Sequence, residues 1–415
     1  MKNNLKLIRN FLPYMVFVLI APLTAQDKSQ PKTMVSFEKV QLADEYTTEG
    51  ASIGDIDGDS HMDIVAGTRW WKGPDFKISY AYGPVKDFAI PGYATNFFSF
   101  PGDFDGDEWT DVLLVGLPGT DSKWVKNPGK WPLPVSNWTN ESVPKYMKAQ
   151  DDVGHESPNF VNIIGDYKQL LSFSGGKIVL GIPGSEDDVP WKTLAISPHD
   201  LDRFPVFSHG LGTGDVNMDG FIDVLEKRGW WEQPKDWDEK IPWVFHEYLF
   251  SPDQGGAQMF AYDVDGDGDN DVVTAMNGHG YGLSWHEQVI SKEGCIDFKE
   301  HQIMTDNPAD NLYGVSFSQL HAMDIADVDN DGIPDIITGK CYYAHDGRDP
   351  GAEHPAVLYW FKTFRNDDGT VEFIPYLIDD DSGVGRRIST GDLNSNGKTD
   401  IVVGNKKGVF VFFQK

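Results

Sequence analysis

Apolar residues in this chain fall in short runs, and each run ends on a glycine-aspartate pair or its equivalent before a polar, aspartate-rich loop. A β-branched stretch follows each loop, as in "DIVAG" (63–67) and "DIITG" (335–339). An aromatic stretch comes next, as in "GWWEQP" (229–234), "AVLYWFK" (356–362) and "GVFVFFQ" (408–414), and often a fourth such as "FIPYLI" (373–378). No convincing helical spacing persists over about ten residues, whereas short alternating runs bounded by Gly, Asp and Asn predict β-strands. The pattern therefore predicts an all-β chain built from units of four short strands.

The loops recur in register. "DIDGDSHMDIV" (55–65), "DFDGDEWTDVL" (103–113), "DVNMDGFIDVL" (215–225), "DVDGDGDNDVV" (263–273), "DVDNDGIPDII" (327–337) and "DLNSNGKTDIV" (392–402) start 48, 112, 48, 64 and 65 residues apart. The gap of 112 hides a degenerate copy at 159–173, "NFVNIIGDYKQLLSF", which keeps Gly165-Asp166 and has lost the acidic loop. Seven units at this period predict a seven-bladed β-propeller, residues 35–415. The last unit stops after its third strand, and "VSFEKVQL" (35–42) precedes the first repeat without a blade of its own. That strand is expected to join the last blade, closing the ring and covering an open edge.

These loops resemble those of the FG-GAP/VCBS repeat family, the calcium-binding propellers also found in integrin α-subunit heads. The spacing D-x-D-x-D-x-x-x-D converges oxygens on one point, as a hard cation with six to eight ligands requires. Expected calcium ligands are Asp55, Asp57, Asp59 and Asp63; Asp103, Asp105, Asp107 and Asp111; Asp215, Asn217, Asp219 and Asp223. The series continues with Asp263, Asp265, Asp267 and Asp271, then Asp327, Asp329, Asp331 and Asp335. Asp392, Asn394, Asn396 and Asp400 offer only two carboxylates and form the weakest site. The resemblance implies that these ions are structural.

The formal net charge of −29 gains its meaning here, since aspartates at ligand positions account for most of it. Nucleic acid is excluded as a partner, because a phosphate backbone calls for a basic surface. Residues 1–25 carry Lys2, Lys6 and Arg9, then an apolar run and Leu23-Thr24-Ala25, which predicts a secretory signal and a secreted or periplasmic protein. Residues 26–34 read as a linker, and no later run is long enough to span a membrane. The two cysteines, Cys295 and Cys341, are expected to stay unpaired. Oligomeric state is not readable.

Propeller geometry selects further residues. If the acidic loops lie on one face, the residues six positions before them ring the channel mouth on the other. These are Glu49, Phe97, Phe160, His209, Ala257, His321 and Arg386. Turns after each second strand add Arg69, Lys227, Arg228, Asn277, His279, Tyr281, Lys340, Tyr342, Tyr343, His345, Asn405, Lys406 and Lys407 to that face, with Gln258 and His155 beside it. A concave mouth rich in Arg, Lys and His favours an anionic ligand. No nucleophile elbow, P-loop or H-E-x-x-H motif is present, so a serine hydrolase or NTPase has no support.

Such a mouth suits β-elimination: a cation neutralises a carboxylate, a His or Tyr removes the adjacent proton, and a second group protonates the leaving oxygen. The chain is similar to the propeller portion of aldos-2-ulose dehydratases and, in architecture, to propeller-type polysaccharide lyases. The expectation is a carbon–oxygen lyase, a dehydratase or a saccharide lyase, acting on acidic, uronate-containing oligo- or polysaccharides. His209 and His321 are the expected base and acid, with Tyr342, His279 and His345 in reserve. Arg386, Arg387 and Lys340 would hold the anion, with Gln258, Asn277 and Glu49 also on the substrate. In a variant of this reading, His209, His279 and His321 bind zinc or another transition metal. The alternative is a non-catalytic adhesion or glycan-binding propeller. Glycoside hydrolysis, needing a carboxylate pair, has only Glu49 and Glu156.

Overall fold

The computed structural model describes residues 35–129, 146–184, 189–252 and 254–415. The expected signal segment and linker lie outside the described residues. Among the described residues, no helix is long and apolar enough to cross a membrane.

Local chemistry shapes each repeat. In all six acidic loops the fourth and sixth residues adopt left-handed backbone, for example Gly58 and Ser60, Gly266 and Gly268, and Asn330 and Gly332. Glycine and Asn reach that region at little cost, while Ser60, Glu108, Met218 and Ser395 are held there by the loop, which turns within a few residues. The ninth residue then locks it. Asp63, fully buried, accepts from the backbone N–H of Ile56 at 2.8 Å and of Gly73 at 2.8 Å. Asp111, Asp223, Asp271, Asp335 and Asp400 make the same two bonds in their own units. Each of these aspartates ties the loop to the third strand and satisfies two otherwise orphaned donors. In the degenerate unit Gln169 takes over the loop end of this role, its Oε1 accepting from Ile163 and Ile164 at 2.9 and 3.0 Å. A neutral amide suits a loop left with a single carboxylate, Asp166, in place of the aspartate cluster of the other units.

The result is all-β with a β-propeller arrangement. Among the described residues, five four-stranded antiparallel sheets are joined by one sheet of eight strands, where the sequence predicts separate blades throughout. The eight-stranded sheet consists of two four-stranded meanders whose first strands, Leu211–Gly214 and Gln258–Tyr262, pair in parallel. Glycine explains the seam. A Cβ on Gly212 would lie 1.9 Å from the Met259 carbonyl oxygen, and one on Gly214 would lie 2.4 Å from the Ala261 Cβ. Without side chains there, the two backbones approach to hydrogen-bonding distance.

Apolar clusters fill each junction between successive meanders, including the one between the first and last units, where Ile64 and Trp71 meet Val402 and Val411. Third-strand tryptophans are core residues, and several stack on a fourth-strand ring: Trp230 on His246, Trp285 on His301 and Trp360 on Tyr376. The expected terminal pairing is present. Phe37–Ala43 runs antiparallel to Gly408–Gln414, so both ends of the described chain lie in one sheet. Cys295 is exposed and Cys341 buried, and both are free thiols.

Candidate functional site

Two groups of ligand-type side chains emerge, on the acidic loops and at the opposite ends of the innermost strands. In the loops, the first aspartate is largely committed to the backbone; Asp55, for example, accepts from Asp59 and Ser60 at 3.2 and 2.9 Å. The fifth-position aspartates also accept from the backbone, as Asp59 does from His61 N–H at 2.9 Å, but through one oxygen only. In three loops, Asp55, Asp57 and Asp63, Asp103, Asp105 and Asp111, and Asp263, Asp265 and Asp271 each bring oxygens within 4.8 Å of one another. Burial pushes the Asp63 carboxyl up to about 6 and those of Asp111, Asp223, Asp271 and Asp335 up to about 7, so concentrated negative charge is costly there.

The loops differ in what balances that charge. Just before the residue that donates to the ninth aspartate stands Lys72, Lys126 or Lys362 in three units. Their ammonium groups pair with Asp57 and Asp59, Asp105 and Asp107, and Asp329 and Asp331. In the 215–223 and 263–271 units the same position holds Glu232 and Glu287, each paired at 2.6 Å with a histidine, His246 or His301. These two loops thus have no lysine counter-charge from that position.

At the other end, the six-residue offset places His209, His321 and Arg386 together, each just ahead of an innermost strand. The His209 ring lies 5.2 Å from His321 and 4.8 Å from His279, and His279 lies 4.8 Å from His321, between centroids. One nitrogen from each of these three rings falls within 4.8 Å of the others. His345 stacks on His279 at 4.1 Å. The chain supports this with strain: Tyr343, His345 and Asp346 all hold left-handed backbone at φ 55, 47 and 56°.

Partners fix the rings. Asp349 takes the Nδ1 of His279 at 3.2 Å on one oxygen and that of His345 at 3.0 Å on the other. His321 Nδ1 donates to the Gln319 carbonyl at 3.3 Å, which leaves its buried Nε2 without a partner. Neither nitrogen of His209 has a hydrogen-bond partner; its Nε2 sits 3.8 Å from Glu156. Burial, reinforced by neighbouring cationic groups, holds His209 and His321 well below the usual imidazole range. Both are therefore held in the neutral form, with one nitrogen of each within 4.8 Å of the other. Neutral imidazoles oriented by a carboxylate or carbonyl are the usual state of metal-ligating histidines.

Beside them, Arg386 is only 1% exposed, its Nε donating to Glu156 at 3.0 Å and its Nη1 to Cys341 Sγ at 2.7 Å. Burial opposes the charge on Arg386, yet the surrounding groups outweigh it and raise its pKa. Burial also pushes the Cys341 thiol up, so the carboxylates of Glu156 and Glu49 remain as the charge partners. The cluster is roofed: the His209 side chain is 1% exposed, against 15% for His279 and 41% for His345. Access from solvent thus runs past His345 and Asp349.

Several expected anion contacts lie elsewhere. Lys340 is buried and donates to Gln319 Oε1 at 2.5 Å and to the Ala352 carbonyl at 3.2 Å. Gln258 bridges the Arg386 carbonyl and the Met323 N–H. Glu49 accepts from the Tyr46 hydroxyl and from Ala94 N–H at 3.3 Å. Asn277 Oδ1 accepts from His279 N–H at 2.9 Å, shaping the turn that carries that histidine. Tyr342 packs against Tyr343 and under the Lys407 ammonium. Arg387 is not brought to the mouth: strand alternation turns it away from Arg386 and into the channel. His155 is buried against Phe173, its Nδ1 accepting from Ser157 N–H. Asp349 and Tyr93, whose hydroxyl accepts from His345 N–H at 3.3 Å, were not selected by the sequence pattern. Asp349 stands four residues after His345, a spacing that signals it in retrospect.

No protein-family model matches the chain, and no curated protein matches it in sequence. Among solved structures it is similar to a lectin of Agrocybe aegerita, described as recognising non-reducing terminal N-acetylglucosamine. The identity is 14% and the TM-score 0.43, over 92% of this chain and 86% of that one. It is also similar to the rhamnogalacturonan lyase YesW, at 13% identity and a TM-score of 0.42, over 91% of this chain and 75% of that one.

Proposed function

We propose that residues 35–415 form a secreted, seven-bladed calcium propeller whose mouth binds a transition metal and catalyses β-elimination on acidic saccharides. The blade count rests on treating the two halves of the eight-stranded sheet as separate blades. The acidic loops are the calcium sites, and residues 1–25 the export signal.

One observation carries the functional reading: three imidazoles, the buried His209 and His321 and the partly buried His279, bring one nitrogen each within 4.8 Å of one another, and the buried nitrogens of His209 and His321 Nε2 have no hydrogen-bond partner. Leaving buried acceptors unmatched costs about 1–3 kcal/mol each, and a divalent ion on three histidines removes that cost. Such an ion would supply Lewis-acid charge to neutralise a uronate carboxylate and so acidify the C–H beside it. Arg386, paired with Glu156 and Cys341, raises the local positive potential from behind. His345 is the accessible base. Its Nδ1 is held by Asp349, so its Nε2 is oriented and free to remove the proton next to the carboxylate, and the imidazolium so formed returns that proton to the departing oxygen as the carbon–oxygen bond breaks. His209 and His321, expected from the sequence as the acid–base pair, are reassigned in this proposal to the metal.

The roof over His209 and His321 favours a saccharide end or a short oligosaccharide over the interior of a polymer. It equally favours a second reading, a calcium-stabilised propeller that binds glycans and catalyses nothing. Incubation with a panel of uronate-bearing oligosaccharides separates the two, following the absorbance of the unsaturated uronate and the loss of one water by mass. Product formed by the native protein and abolished in His345→Ala and His321→Ala supports the lyase. Saturable binding with no product establishes the binding module instead.

A further inference from the structure

A cavity of about 140 Å³ lies along the innermost strands, away from the histidine cluster, and no role has been given to it. Its charged lining consists of Arg387, Lys168 and Asp324. The Arg387 guanidinium lies 4.8 Å from the centre of the Phe100 ring, and its one hydrogen bond runs from Nε to Ser389 Oγ at 3.2 Å. Its two terminal nitrogens therefore keep their donors. Among the described residues, no carboxylate lies within ion-pair distance of Arg387 or Lys168. Asp324 attracts Arg387 from beyond ion-pair distance and accepts from Thr390 Oγ1 at 2.9 Å and from Ile325 N–H at 3.0 Å. Ser52, 1% exposed, turns a hydroxyl without a hydrogen-bond partner into the same space.

We infer that this cavity is a binding site for one small oxyanion. Two cations face one carboxylate, leaving a net positive charge in a confined polar space. A guanidinium anchored over an aromatic ring and by its Nε keeps its paired terminal donors, which carboxylate and tetrahedral oxyanions accept. The Ser52 hydroxyl supplies a further donor, and Lys168 closes the solvent side. The volume admits an acetate- or sulfate-sized ion and no saccharide ring. The site is independent of the proposed metal and of its reaction.

The test is thermal unfolding and titration calorimetry with sodium sulfate, sodium acetate and sodium chloride at equal ionic strength. The native protein is expected to show saturable stabilisation and one-to-one binding with sulfate, acetate or both, which also distinguishes tetrahedral from planar oxyanions. Removing one charged donor should weaken binding about tenfold or more in Lys168→Gln and Arg387→Gln. Lys168→Gln alters an exposed rim residue and keeps the test decisive if Arg387→Gln fails to fold. His321→Ala is expected to retain the anion response, so failure at the mouth and failure in the channel are distinguishable. A non-saturating response, an equal one in native protein and Lys168→Gln, or saturation by chloride alone overturns the assignment.

Discussion

Lys362 offers a direct way to weigh cation against lysine in the acidic loops. Its ammonium contacts Asp329 and Asp331, the latter at 2.6 Å, and its side chain is 16% exposed against 21% and 33% for theirs. In Lys362→Met those two carboxylates lose their counter-charge while the aliphatic stem is kept. Charge-assisted hydrogen bonds contribute about 1.5–3 kcal/mol each when buried. Partial exposure discounts the pair to roughly 2 kcal/mol in total. Over the described chain that loss lowers the unfolding midpoint in EDTA by roughly 2–3 °C. Calcium should reverse the order, since the ion no longer has to displace an ammonium group. The variant is then expected to gain more from calcium than the native protein does, with half-saturation at a lower concentration. The assay is thermal unfolding across a calcium titration beginning in EDTA. An unchanged midpoint in EDTA, or identical calcium dependence in the two proteins, refutes the idea that lysine occupies the cation position.

Other outcomes follow from single side chains. Gln169→Ala orphans the N–H groups of Ile163 and Ile164 and is expected to cost about 2–4 kcal/mol in urea unfolding. Gly212→Ala drives a methyl into the Met259 carbonyl and should destabilise by more than about 2 kcal/mol, checked in the same way. Burial pushes His286 down to about 4, so the folded chain resists a proton that the unfolded chain accepts below 6.5. Its contribution therefore falls as pH drops from about 6.5 to 4, by at most about 3 kcal/mol. His286→Leu should flatten that part of the stability–pH curve, and an unchanged curve contradicts the assignment. Asp349→Asn keeps the shape but weakens the hold on His279 and His345, and should lower transition-metal affinity about 10–100-fold by competition titration.

Much of the fold was legible because its signals are periodic. The loop spacing located every acidic turn, and the unpartnered strand at 35–42 foretold the pairing of Phe37–Ala43 with Gly408–Gln414. The parallel seam was not legible, since Gly212 and Gly214 read equally well as ordinary strand-end glycines; only the position of Met259 and Ala261 gives them meaning. At the mouth, one rule of offset brought out His209, His321 and Arg386, and the turns gave His279 and His345. That rule says where a Cα lies and nothing of where a long side chain ends. Lys340 thus falls on the expected turn and is consumed by Gln319, and Gln258 becomes a strut between strands. Arg387 was separable from Arg386 in principle, since adjacent strand residues face opposite ways. Asp349 and Tyr93 come from irregular segments with no repeat to index them.

The account turns on whether the three histidines hold an ion. The measurement is elemental analysis of the purified protein after mild chelation that strips the loop calcium, for the native chain, His209→Ala and His321→Ala. Calcium-replete samples of each serve as a check on folding. The account predicts about one tightly held transition-metal ion per native chain, lost in both folded variants. A native chain that retains none after metal loading, or variants that retain as much as it does, contradicts it.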